Sequence, residues 1–249
     1  MHPLRLALPA LLFVPGIARA EVELSFYGGW QTAPHSVVTI EGDSVLPDDE
    51  FTAGWEGRSF TMPPYYGLRA TWWRSESLGF GLDFSHDKVY ADDATLAESG
   101  LDHFEFSDGL NILTVNAYRR WDQALGGLTP YVGGGIGLSL PHVEVVTPET
   151  RTWEYQLGGP AVAWMAGVSY PINDRWSVFG EYKGTYSQNV VELETGGTVE
   201  TDIITNSVNL GVSSAQNVGG GMGIDVLSAV ENATGSVHGD RLIGSGGHN

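Results

Sequence analysis

Between Tyr66 and Ser85 the residue types alternate with a period of two. Leu78, Phe80, Leu82 and Phe84 hold one parity, and Gly79, Gly81, Asp83 and Ser85 hold the other. Before them, Tyr66, Leu68, Ala70 and Trp72 stand against Gly67, Arg69 and Thr71. Successive side chains of a strand point to opposite faces, so each parity is one face of a sheet. Residues 74–77 make a polar turn, and the stretch 63–93 is therefore predicted to be a β-hairpin of two long strands. One face is apolar and ends in aromatics, while the other is small or charged. A greasy outside around a water-filled interior is the dyad pattern of a transmembrane β-barrel, with Trp72, Trp73 and Tyr90 at its interfacial girdles.

The same alternation predicts strands over 21–31, 109–121, 129–143, 155–171, 176–190 and 199–213. With the hairpin this makes eight, an even number of segments long enough to cross a bilayer when tilted. The predicted fold is all-β: an eight-stranded, antiparallel, up-and-down transmembrane barrel, whose lumen is filled by side chains and carries no wide pore. Short connections at 74–77, 122–128 and 173–175 alternate with longer ones at 32–62, 91–108, 145–154 and 191–198. Short turns on the periplasmic side and long extracellular loops follow from this order. The inward parity collects Glu23, Arg69, Asp83, Asn116, Glu181 and Lys183. Charges facing lipid would be costly, so these are expected to pair as a structural plug inside.

Both ends lie apart from the barrel. Residues 1–20 read as a secretory signal, with Arg5, an apolar run and the small-x-small site Ala18-Arg19-Ala20. The apolar run has about a dozen residues, against the roughly 20 that a membrane helix needs. After Ser213 the alternation stops, and 214–249 is expected to be a Gly-rich tail outside the barrel. Within it GGMGIDVLS, residues 220–228, fits the nonapeptide of calcium-binding parallel β-helices, and 230–249 resembles the start of an RTX-type repeat region. A single such repeat holds no calcium, because the site is built between stacked turns.

With 12 Lys+Arg against 30 Asp+Glu, the formal charge is −18, which leaves too little positive charge for a nucleic-acid partner. An acidic surface instead recruits divalent cations or simply keeps the protein soluble, and solubility is the expected role of most of these carboxylates. Four histidines, His35, His86, His103 and His142, map to the extracellular end of the predicted topology, among Asp87, Asp92, Asp93, Asp102, Glu105 and Glu144. Imidazole and carboxylate together suit a divalent transition metal, with His142, Glu144, His35, His103 and His86 as candidate ligands. His142 and Glu144 share a parity and reach one side of the wall together. His86 faces outward by the parity of Phe84, and His35 and His103 sit on loops. The competing reading makes the four histidines interfacial residues beside a carboxylate surface that binds lipopolysaccharide-bridging cations. Residues 133–137, Gly-Gly-Gly-Ile-Gly, lie mid-strand, where glycine makes room for a bulky neighbour or a close strand.

Several blocks carry a family likeness: EVELSFYGGWQTAPHS, WEGRSFTMPPYYGLRATWWRSESLGFGLDFSHDKVYADD, FSDGLNILTVNAYRRW, PYVGGGIGLSLPHVEV, WSVFGEYKGTYS and TNSVNLGVS. Together they cover residues 21–213, and the sequence resembles the lipid A oxidase family of outer-membrane proteins. The resemblance implies an outer-membrane monomer that meets lipid A and membrane lipids. It also implies oxidation of the proximal glucosamine of lipid A to 2-aminogluconate, with dioxygen as co-substrate, favoured by divalent cations. Oxidation by dioxygen without a flavin or nicotinamide fingerprint calls for iron or copper as the metal. The non-enzymatic alternative is a barrel that binds or stabilises lipopolysaccharide through cation-bridged acidic loops.

Overall fold

The computed structural model describes residues 21–217. The predicted signal segment 1–20 and the tail from 218 onward lie outside the described residues. Eight strands close into a ring: β1 (Glu21–Thr32), β5 (Tyr66–Trp73), β6 (Leu78–Ala91), β7 (His103–Arg120), β8 (Thr129–Val146), β10 (Gly159–Pro171), β11 (Trp176–Glu192) and β12 (Thr198–Asn217). Each pairs antiparallel with the next in the ring, and β12 returns to β1 with Glu21 opposite Asn217 and Thr32 opposite Asn206. Between them, β2 (Ser36–Glu41), β3 (Asp49–Ala53), β4 (Trp55–Glu56), the helix α1 (Asp93–Ser99) and β9 (Arg151–Tyr155) build up the extracellular end. The last strand runs four residues past Ser213, so 214–217 belong to the wall.

The alternation decides the two faces as expected. Leu24, Phe26, Leu68, Leu82, Val115, Ile136, Leu138, Val208 and Leu210 are exposed on the outside. Arg69, Asp83, Asn116, Glu181 and Lys183 are buried within. Among the described residues no helix is long and apolar enough to cross a membrane. A closed strand ring with an apolar outer belt satisfies its backbone in lipid, and this is the architecture of proteins of the Gram-negative outer membrane. Trp72 faces outward near the short-turn rim, but the other two predicted girdle residues are buried. Trp73, one residue on, takes the opposite parity and is buried in the lumen, and Tyr90 is covered by the Arg58 guanidinium 4.6 Å above its ring.

Inside, the barrel has two fillings. At mid-height, Arg69 donates from Nε to Asp83 at 2.7 Å and from both terminal nitrogens to Glu181 at 2.8 and 2.9 Å. Lys183 pairs with Asp83, and the Tyr27 hydroxyl donates to Asp83 at 2.9 Å while accepting from Lys183 at 2.8 Å. This is the ionic plug that the inward parity predicts. Glycine makes the space: a Cβ on Gly67 would lie 2.0 Å from the Tyr27 ring, and one on Gly133 would lie 2.5 Å from Tyr118. Towards the extracellular end the interior is apolar, not water-filled. The first long connection folds back over the mouth and puts Val38, Ile40, Ala53 and Trp55 against Phe104, Phe106, Leu110, Val143 and Val145. Trp55 and Phe104 meet edge to face with centroids 5.3 Å apart.

Candidate functional site

The long connections are partly strand, because β6, β7, β8 and β12 continue beyond the lipid belt and carry β9, β4 and β2 along their edges. Residues 103–108, predicted to lie on the loop 91–108, are therefore placed by a sheet. His103 heads β7, not a loop, and pairs opposite Val146, with Glu105 opposite Glu144 two residues along. All three side chains share the outward parity, since Phe104, Phe106, Val143 and Val145 fill the inner face.

His103, Glu105 and Glu144 bring ligand atoms to within 4.8 Å of one another. The His103 Nε2 lies 2.8 Å from a Glu105 oxygen, and Arg151 on β9 donates to Glu144 at 2.6 and 3.1 Å. Two carboxylates directly opposite across strands repel, so the pair depends on a cation between or beside them. Burial pushes the Glu105 carboxyl above the ordinary glutamate range, against the pull of His103, and Glu144 adds to the rise. Glu144 is four residues beyond Leu140, an exposed belt residue on the same face of β8. That is about 13 Å along a strand, the height of lipid head groups rather than of acyl chains.

Of the other predicted ligands, His142 is on the same face of β8 but edges onto the rings of Trp153 and Tyr155, with centroids 4.9 and 4.5 Å away. His86 keeps the outward parity of Phe84, yet is covered: Tyr66 stacks on it at 5.1 Å and its Nδ1 meets Asn111 at 2.9 Å. His35 is exposed between β1 and β2, where its charge is felt by Asp92, the residue capping α1. The structure thus gathers His103 and Glu144, adds Glu105, and leaves His142, His86 and His35 apart from that cluster. Glu105 had a sequence signal: in His-Phe-Glu-Phe the polar and aromatic residues alternate with the period of a strand.

No family model and no curated protein matches the chain. Among solved structures it is similar to outer membrane protein AlkL in lipid bilayers, at 15% identity over 90% of this chain and 100% of that one, TM-score 0.48. It is also similar to Neisserial surface protein A, at 15% identity over 79% and 97%, TM-score 0.44. A third is a major outer membrane protein from Thermus thermophilus, at 12% identity over 79% and 99%, TM-score 0.46.

Proposed function

We propose that this outer-membrane barrel is a lipid A oxidase whose metal centre is His103, Glu105 and Glu144. The observation that carries the reading is the position of that cluster on the outer wall, above the lipid belt. There a lipid's sugar head group meets it without leaving the membrane. One imidazole nitrogen and two carboxylate oxygens within 4.8 Å are within reach of one ion once the glutamates rotate, and this oxygen-rich set favours iron over copper. The metal, when bound, supplies the one-electron chemistry that lets dioxygen accept electrons from a sugar carbon. The protein's part is to fix the ligands on paired strands, with Arg151 orienting Glu144. The aromatic flank of Trp153 and Tyr155, exposed beside the cluster, offers a surface for the sugar.

The reading is tested by mass spectrometry of lipid A from cells making each variant. Wild type is expected to add the mass of one oxygen atom to the proximal sugar, and His103→Ala or Glu144→Ala to abolish it while the barrel still folds. His142→Ala, outside the cluster, keeps the product. Oxidation undiminished in both cluster variants removes the site. The second reading, a non-enzymatic lipopolysaccharide binder, draws on Glu200 and Asp202, exposed on the outward parity of β12 beyond the belt residue Ile204. It predicts that no oxygen is added by any form.

A further inference from the structure

The short-turn end of the lumen, below the ionic plug, holds a cavity of about 610 Å³ that takes no part in the reading above. It opens between the turns at 74–77, 122–128 and 173–175, on the periplasmic side. Its inner end is the Arg69 and Tyr131 layer, where Tyr131 donates to Glu181 at 2.9 Å. The charge of that layer is already balanced, because Arg69 and Lys183 face Asp83 and Glu181. What remains towards the mouth is five carboxylates, Glu21, Glu23, Glu76, Asp122 and Asp174, against Arg120 and Arg175. Arg120 is shared: its Nη1 reaches Glu21 at 3.1 Å and Glu23 at 3.8 Å, and its guanidinium lies 3.9 Å over the Trp73 ring. One guanidinium serving two acids leaves the mouth negative.

Tyr118 is part of the same wall, buried to 3% exposure, and its hydroxyl has no hydrogen-bond partner among the described residues. A buried hydroxyl without a partner is costly, and a native wall keeps one where something else supplies the bond. Ser25 and Ser213 add a pair of hydroxyls 2.8 Å apart on the facing side. The combination is negative charge at the entrance and hydroxyl acceptors inside, which fits an ammonium group better than an anion or a neutral sugar.

We propose that the periplasmic cavity binds an alkylammonium cation, with Glu23 as its counter-ion and the Tyr118 hydroxyl as an acceptor. The test uses the full chain, refolded in detergent micelles, titrated calorimetrically with putrescine and separately with its neutral counterpart 1,4-butanediol. Saturable binding of the diamine alone is expected, weakened about tenfold by Tyr118→Phe, which removes one bond to a charged group and keeps the ring. Glu23→Gln is expected to weaken it at least as much. Gel mobility without boiling verifies that each variant is folded, and Tyr118→Phe decides the matter if Glu23→Gln does not fold. The proposal is overturned if wild type shows no saturable binding, if butanediol binds equally, or if Tyr118→Phe binds as wild type does. The last result would mean that water alone satisfies the hydroxyl and that the diamine sits on the acidic exterior.

Discussion

The two halves of the lumen solve one problem with opposite chemistry. At mid-barrel, where lipid surrounds the wall, the interior is held by Arg69, Asp83, Glu181 and Lys183, two cations and two anions with every charge paired. Beyond the belt, where water surrounds the wall, it is held by Phe104, Phe106, Trp55 and their aliphatic neighbours. The inversion has a physical cause. Inside the membrane both faces of a strand cannot be apolar and still specify which face turns in, because lipid would accept either. A charged inner face removes that ambiguity, since turning it out costs several kcal/mol per charge. In the extracellular sheet water supplies the driving force, and an ordinary apolar core suffices.

The largest effect expected from this contrast is in the ionic half. Asp83→Ala leaves Lys183 and Arg69 short of a partner and should cost about 3–5 kcal/mol, read as a lower urea midpoint in lipid vesicles. Loss of less than about 1 kcal/mol would show that the lumen water replaces the carboxylate. In the apolar half, Phe106→Ala should cost about 3 kcal/mol of the extracellular sheet. The loops should become sensitive to protease while the belt region stays protected and the unboiled gel shift is kept. If the gel shift is lost too, the two halves are one cooperative unit and the contrast fails as an energetic division.

Smaller effects test the outer cluster. The Glu105 pKa is raised by folding, so its contribution favours the folded state below the unfolded value and is lost as pH rises through the folded one. Without metal, Glu105→Gln should therefore make the extracellular sheet slightly more stable than wild type above the carboxylate range. With metal, wild type should release the ion on acidification at a higher pH than an ordinary glutamate would set, measured by metal retention across a pH series. Smallest of all, ending the chain at Asn217 should leave barrel folding unchanged. Ending it at Ser213 removes four seam pairs, from Leu24 opposite Ser214 to Glu21 opposite Asn217, and should lower the urea midpoint. Equal stability of the two truncations would show that the last four residues add nothing.

The wall was legible because period-two alternation is a local signal, and each barrel strand carries it over eight residues or more. The extracellular sheet was harder to read. Pairing of β6 with β7 slips between Asp87 and Val89, and that of β7 with β8 between Glu105 and Leu110, so the inward and outward faces are kept but which residues stand opposite one another can no longer be counted from the belt. Gly109 lies within β7 at φ 119, with the His86 ring where a Cβ would go. Trp73 and Tyr90 were misplaced for another reason. An aromatic near a strand end marks a girdle only when its parity is outward and nothing from a loop covers it. The histidines show the same limit: residue type marks a candidate ligand, but which of four meets a carboxylate depends on the register of two strands.

The seam between β1 and β12 carries a consequence for assembly. Its twelve pairs join residues separated by up to 196 positions, and the extracellular part of β12 is then taken over by β2, four pairs from Thr198 opposite Glu41 to Thr201 opposite Val38. On the first long connection, β2 thus has β3 as a local neighbour and depends on the last strand for the other. Until β12 is in place, the sheet has two open edges and β2 lacks one of its two neighbouring strands. Non-local pairing of this kind is slow to form and exposes unpaired edges meanwhile. Ring closure and the docking of β2 on the extracellular rim therefore depend on the same strand, and a barrel caught before it would be open along the seam and missing that part of its rim at once.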